Sequence, residues 1–283
     1  MSTHLIVVLA MIAFAANSLL CRMALGDEAI DAASFTTIRL VSGALTLLVL
    51  LWWTNNKAKK LTIKFDFFAS TMLFVYAICF SFAYLELATG TGALILFGMV
   101  QLTMVFVGVL KGERPSFLSW LGMLVAFSGL VYLVLPGVTA PSWQGALLMA
   151  VSGIAWGVYS LRGKEAIDPV ANTTWNFVGT IPLTLLCSLF FLSEVNLSLI
   201  GVLLAIASGA LASAVGYVLW YRVLPVLTSS SAATVQLSVP LIAAFAGVLV
   251  LNELLDTRLI IAGITVLSGI ALTIIAKNQL TKQ

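Results

Sequence analysis

Residues 91–110 read TGALILFGMVQLTMVFVGVL, twenty positions without one ionisable side chain. A helix of that length is about 30 Å long, the thickness of the hydrocarbon core of a bilayer. Working outward, Lys111-Gly112-Glu113-Arg114-Pro115 closes this run on one side, and Glu86 with Gly90 closes it on the other. The same alternation of long apolar run and short polar breaker continues in both directions. It predicts spans at 4–21, 32–53, 67–86, 91–110, 117–135, 144–161, 172–192, 199–221, 229–251 and 258–276. The breakers are Gly26-Asp27, Asn55-Asn56, Gly112 to Pro115, Pro136-Gly137 with Pro141, and Asp168-Pro169. Of 283 residues, 61% are hydrophobic and 9% charged, whereas a soluble domain carries about a quarter charged residues. There is too little polar surface to cover a globule in water, so lipid is the expected solvent. Only helices and closed barrels satisfy their backbone in lipid, and runs this long predict helices. The expected fold is an all-α membrane protein of ten transmembrane helices, with no room for a soluble domain at either end.

Orientation follows from Lys and Arg. With the N-terminus inside, the inner connections and tail hold Lys57, Lys59, Lys60, Lys64, Lys111, Arg114, Arg162, Lys164, Arg222, Lys277 and Lys282, while the outer side holds only Arg22 and Arg258. Arg39 falls within the second span. Both termini are therefore expected in the cytoplasm. The first span follows Met1-Ser2-Thr3-His4 with no basic stretch and no small-residue cleavage site, so it reads as a retained helix. The three cysteines, Cys21, Cys79 and Cys187, are scattered, and His4 is the one histidine. That pattern gives no disulfide framework and no metal-ligand spacing. No metal site, cofactor or catalytic residue is expected.

A shift of 140 residues lays the second half on the first. Ala15 meets Ala155, Arg22 meets Arg162, Leu45 meets Leu185, Ala93 meets Ala233, Glu113 meets Glu253, and Ser128-Gly129 meets Ser268-Gly269. The predicted repeats are 1–138 and 139–283. Each has five helices, an odd number, so the second enters the membrane from the opposite side. Inverted repeats are the architecture of many secondary transporters, with the substrate near the midplane between them.

The stretch Ser213-Ala-Val-Gly-Tyr-Val-Leu-Trp-Tyr221, then Ala232-Ala233 with Pro240, Leu251-Asn252-Glu253, Gly263 and Ser268-Gly269 carry a resemblance. The first half echoes them in Gly92-Ala93, Lys111-Gly112-Glu113, Gly122 and Ser128-Gly129. The chain resembles the drug/metabolite transporter superfamily in its EamA-type branch, over its whole length. Within that branch its aromatic third and eighth helices look most like aromatic amino-acid exporters of the YddG type, although Phe14 and Asn17 stand where the first helix often has Trp. The resemblance implies a carrier in the bacterial inner membrane with a central cavity lined by helices 1, 3, 4, 6, 8 and 9.

Read on those helices, Tyr76, Phe80 and Tyr84 fall four apart on one face, as do Ser213, Tyr217 and Trp220/Tyr221, with Trp156 beside Tyr159. Aromatic rings with polar tips suit an amphipathic or aromatic substrate. Trp220, Tyr221 and Tyr84 lie near span ends, where an interfacial belt is the plainer expectation. Asn17, Gln101 and Gln236 lie deep in spans, where amides need partners in the bundle or in a wet cavity. The candidate substrate contacts are Phe14, Asn17, Tyr76, Phe80, Gln101, Trp156, Tyr159, Ser213, Tyr217 and Gln236. Pro240 is the candidate hinge of helix 9, and Gly92 a candidate gate at the start of helix 4. Arg39 is expected to snorkel toward the outer surface on a helix outside the cavity, and Glu113 and Glu253 to pair locally with Arg114 or Arg258. Gly122, Gly129, Gly263 and Gly269 mark faces of close helix approach.

These features point to a secondary transporter exporting small amphipathic metabolites, foremost amino acids with aromatic side chains, by alternating access. No Asp or Glu lies near a span centre, which favours facilitated diffusion or exchange over proton coupling; a proton-coupled exporter of another metabolite or drug is the alternative. A phosphorylated substrate would want Lys or Arg in the cavity-lining spans, and a cation pump a Glu in the first. Neither is present. An intramembrane enzyme needs a nucleophile with a base or a metal cluster, and a ring-forming channel repeats by subunit. The expected partners are a small-molecule substrate and the bilayer, without nucleic acid, for a protein acting as a monomer.

Overall fold

The computed structural model describes residues 2–54, 65–112, 115–137, 140–164, 166, 168–227 and 235–280. Within them lie eight helices long and apolar enough to cross a membrane. They are α1 (Thr3–Gly26), α2 (Ala32–Thr54), α4 (Thr89–Leu110), α5 (Phe117–Val134), α6 (Trp143–Gly163), α7 (Pro169–Phe190), α8 (Leu199–Val223) and α10 (Thr257–Leu280). Two shorter apolar helices are α3 (Phe67–Ala83) and α9 (Ser238–Leu251). Asn55-Asn56, Lys57, Lys59, Lys60, Lys64, Glu113, Arg114, Ala232-Ala233 and Lys282, named above, lie outside the described residues.

Short polar residues start most helices. Ser2, Asp66, Ser116, Ser142, Asp168 and Ser198 each accept a hydrogen bond from a backbone N–H in the first turn, satisfying donors that a helix leaves unpaired. Burial runs opposite to that of a water-soluble protein. Asn17, Arg39, Gln101, Asn176 and Gln236 are buried, while Trp52, Trp53, Phe67, Phe117, Trp143, Phe190 and Leu254 are exposed. Most of these exposed aromatic residues stand near helix ends, where rings gather at a membrane–water boundary. Trp220, Tyr221 and Tyr84, expected in such a belt, are instead 3%, 4% and 0% exposed. The hydropathy of a span end does not tell which way its face turns.

α5 and α10 pack against one another along small residues. A Cβ on Gly122 would stand 2.5 Å from the Gly269 carbonyl oxygen, and one on Gly269 would stand 2.4 Å from the Ala126 nitrogen. Gly263, expected to share that role, has room for a side chain, since a Cβ there would be in ordinary contact with Leu94 at 3.9 Å.

α8 departs from a regular α-helix, since Ala207–Val215 is π-helical. Within it Ser208 donates to Asn17 of α1 and Ser213 accepts from Arg39 of α2. This stretch lies so close to α2 that a Cβ on Gly209 would be 2.1 Å from the Arg39 carbonyl oxygen. The predicted hinge Pro240 is the third residue of α9, directly after a turn at Leu237 that interrupts the helix. Proline lacks the N–H that would bond the carbonyl four residues back, here that of Gln236, which accounts for the break.

One end of the bundle gathers the finish of α1, α3, α5, α7 and α9 with the start of α2, α4, α8 and α10. Arg22 donates to the Tyr84 and Leu85 carbonyls at 3.0 Å, the Ser198 N–H to the Ala29 carbonyl at 3.0 Å, and Arg258 to the Leu135 carbonyl. At the other end Asp66, which starts α3, pairs with Arg162, near the finish of α6.

Candidate functional site

Phe14 and Asn17 of α1, Tyr76 and Phe80 of α3, Leu96 and Phe97 of α4, Trp156 of α6 and Tyr217 of α8 surround a small central cavity. Its volume is about 10 Å³, room for about one water molecule. The rings form a continuous stack. Ring centroids are 4.9 Å apart for Tyr76–Trp156, 4.7 Å for Trp156–Tyr217 and 5.5 Å for Tyr76–Phe80. Phe14 meets Trp156, Tyr217 and Trp220 edge-on at 6.1, 5.9 and 6.0 Å, the tilted and edge geometries that ring quadrupoles favour.

Asn17 is tied on both sides. Its Nδ2 donates to Tyr76 Oη at 3.2 Å, and its Oδ1 accepts from Ser208 Oγ at 2.6 Å. Arg39 does not snorkel. It is 1% exposed, donates from Nε to Ser213 Oγ at 3.2 Å and from Nη2 to Tyr76 Oη at 3.0 Å, and lies over the rings of Tyr76 and Phe80 at 5.2 and 5.0 Å. On insertion scales an Arg at the centre of a span costs about 2.5–3.5 kcal/mol, and the two rings offset part of it. Gly209 in the π-helical stretch of α8 lets α2 approach closely, and Ser213 of the same stretch accepts from Arg39.

Six of the sequence-predicted contacts, Phe14, Asn17, Tyr76, Phe80, Trp156 and Tyr217, meet around this cavity. Tyr159 and Ser213 lie one layer behind, against Trp156 and Arg39. Gln101 and Gln236 are buried but are not among the cavity's lining residues, and α9 contributes none of that lining. Gly92 lies where a Cβ would be 2.5 Å from the Tyr84 ring, so its lack of a side chain lets that ring lie across α4. Sequence reasoning missed Arg39 and Ser208 as parts of the site. The available signal was Arg39 itself, the one basic residue inside a predicted span.

A second arrangement closes the bundle end that holds Arg22. Ala88 precedes α4 and has no side chain to cap it. Glu253, just beyond the end of α9, supplies the cap, with its carboxylate oxygens 2.9 Å from the Thr89 backbone nitrogen and Oε1 2.9 Å from Thr89 Oγ1. Its other neighbour is Arg22 at 3.7 Å, not Arg258, which instead bonds Leu135 and lies over Tyr132. Asn252, in the left-handed conformation at φ 53°, turns the chain so that Glu253 reaches back. The acid sits at a helix N-terminus and Arg22 at the C-terminus of α3, both favourable to the helix dipoles. Beside this clip is a cavity of about 220 Å³ bounded by Glu86, Thr91, Ala244, Val248, Glu253 and Leu259.

Among the described residues, no group of three or more His, Cys, Asp or Glu could hold a metal ion. At the opposite end, partial burial raises the pKa of Asp66. Hydrogen bonds from Arg162 and the Ala69 N–H outweigh this and leave the pKa below the usual carboxylate range.

The profile of the EamA-like transporter family matches residues 1–135 and again 143–275. An uncharacterized protein of Pseudomonas aeruginosa is 50% identical over 270 residues, 95% of this chain and 93% of its own. An uncharacterized transporter of Archaeoglobus fulgidus is 27% identical over 98% of this chain and 99% of its own. The uncharacterized transporter YoaV of Bacillus subtilis is 21% identical over 88% and 89%. A protein crystal structure, 18% identical, shares the fold with a TM-score of 0.67 over 96% of both chains.

Proposed function

We propose, because this chain belongs to the EamA-like transporter family, that it exports small amphipathic metabolites, foremost amino acids with aromatic side chains, through the central aromatic cavity. The observation that carries this reading is the stack of Phe14, Tyr76, Phe80, Trp156 and Tyr217 around a buried amide, drawn from helices of both halves. A flat apolar wall with a few fixed polar groups is the usual make-up of a small-molecule site.

In this reading α3 and α9 also cross the membrane, giving ten spans in two inverted repeats, 1–138 and 139–283, with cytoplasmic termini. The packing supports it. Swapping each helix for its counterpart in the other half exchanges α3·α6 with α1·α8 and α4·α6 with α1·α9, and maps α2·α7, α4·α9 and α5·α10 onto themselves. The end that receives the finish of α1 receives the start of α8 and α10, as alternating spans require. The Arg22–Glu253 end is then the outer one.

An aromatic amino acid needs far more than 10 Å³, so the rings must part as the halves rock, first toward one side and then the other. The turn before Pro240 and the start of α4 at Gly92 are where the two gating helices flex. The buried polar residues described include no Asp or Glu, which favours facilitated diffusion or exchange. The protein acts in the bacterial inner membrane, as a monomer.

Growth tests this directly. Bacteria producing the protein are exposed to a toxic fluorinated phenylalanine, and intracellular and external amino acids are measured. Lower intracellular analogue and better growth than the empty-vector strain are expected. Equal accumulation at verified membrane expression refutes the substrate assignment.

A further inference from the structure

We infer that the central cavity selects its substrate by a carboxylate, with Arg39 as the countercharge and the Tyr76 hydroxyl as the direct contact. This rests on the carrier reading above and names the substrate class of the same site. Arg39 is the one charged residue among the buried polar side chains described. Its Nε and Nη2 have partners, but Nη1 has no hydrogen-bond partner among the described residues. No buried carboxylate among those residues answers the charge.

A purely structural tie between α2, α3 and α8 does not require a cation. A neutral hydrogen-bonding side chain could tie helices without bringing an unanswered charge into the bilayer, and such charges mark function when retained. Tyr76 points the same way. Its Oη already accepts from both Asn17 Nδ2 and Arg39 Nη2, so its own proton is left to donate among the groups that line the cavity, where the Tyr217 hydroxyl is the one described protein acceptor beside it and a ligand carboxylate would be the stronger one. The site therefore offers a hydroxyl donor beside a guanidinium, and among the described buried side chains no carboxylate as acceptor. A carboxylate accepts that proton's hydrogen bond and balances the Arg39 charge in a medium where both effects are strong. An ammonium group finds no anion, only ring faces. The aromatic walls take the apolar body. Recognition should need the carboxylate of an aromatic amino acid and not its amine.

The test uses purified full-length protein in detergent at neutral pH and follows thermal unfolding with three probes, L-phenylalanine, 3-phenylpropionate and 3-phenylpropanamide. The last two have the same size and differ in charge. A ligand that binds the native state raises the unfolding temperature in proportion to its occupancy. Phenylalanine and phenylpropionate should act at similar concentrations, and the propanamide should need at least tenfold more. Y76F, which keeps the ring and removes the proton, should shrink the gap between the acid and the amide to less than threefold, and R39Q should abolish it. If R39Q fails to fold, the wild-type pair and Y76F decide. Equal action of acid and amide overturns the inference, and so does a shift with none of the three. Carboxylate-selective binding without any transport would leave it standing and refute the carrier reading. Phenylalanine transport inhibited equally by acid and amide would do the reverse.

Discussion

Removing Glu253 should unlatch the bundle end that holds Arg22. In the described arrangement its carboxylate bonds the Thr89 N–H and hydroxyl at 2.9 Å and stands 3.7 Å from Arg22. α4 has no other side-chain cap, since Ala88 cannot provide one. Losing a helix cap costs about 0.5–2 kcal/mol, and losing an anion at a helix N-terminus about 0.3–1 kcal/mol more. E253A should therefore weaken the latched arrangement by roughly 2 kcal/mol, a shift of roughly 30-fold in the ratio of closed to open. The reporter is T91C in a background with Cys21, Cys79 and Cys187 replaced by alanine. Thr91 is buried in the first turn of α4 and faces the cavity beside the clip. Its labelling by a membrane-impermeant maleimide should quicken about tenfold or more with E253A and less with E253Q, which keeps an acceptor. An unchanged rate in folded protein would refute the idea that this carboxylate holds α4 and α9 together.

N17A removes the links to Tyr76 and Ser208 and should cost about 0.5–2 kcal/mol, read as a lower unfolding temperature and as weakened substrate exchange. G122L should prevent stable folding, because its side chain would meet the Gly269 carbonyl oxygen at 2.5 Å, whereas G263A, with nothing nearer than 3.9 Å, should leave the unfolding temperature unchanged. The Asp66–Arg162 pair has a depressed carboxyl pKa, so its contribution is present above the usual carboxylate range and is lost as pH falls through the lower folded value. D66N should therefore lower the unfolding temperature at neutral pH, with the difference from wild type vanishing in strong acid.

Eight long apolar helices were legible because a bilayer demands long uncharged runs, and predicted boundaries such as 117–135 and 199–221 fall within two residues of α5 and α8. The ring stack was legible because spacing of four puts Tyr76 and Phe80 on one face. Two kinds of information were not legible. Inside a membrane the lipid-facing side of a helix is as apolar as the packed side, so hydropathy did not tell that Trp220 and Tyr221 turn inward or that Arg39 does. Contacts between distant segments were also hidden. Nothing near Glu253 in the chain announces Thr89, 164 positions away. The π-helical stretch of α8 after Ile206 departs from regular helical spacing, so that spacing did not announce the contacts of Ser208 with Asn17 and of Ser213 with Arg39.

Counterflow into liposomes bears on the central claim most directly. Purified protein, preloaded with unlabelled phenylalanine, is given radiolabelled phenylalanine outside with no ion gradient, and the initial rate is compared with that of W156A, which opens the ring stack. Saturable uptake that protonophores leave unchanged, and that W156A strongly reduces while remaining folded, is the predicted result. Flat traces with phenylalanine and tryptophan alike, from protein shown to be folded, would contradict it.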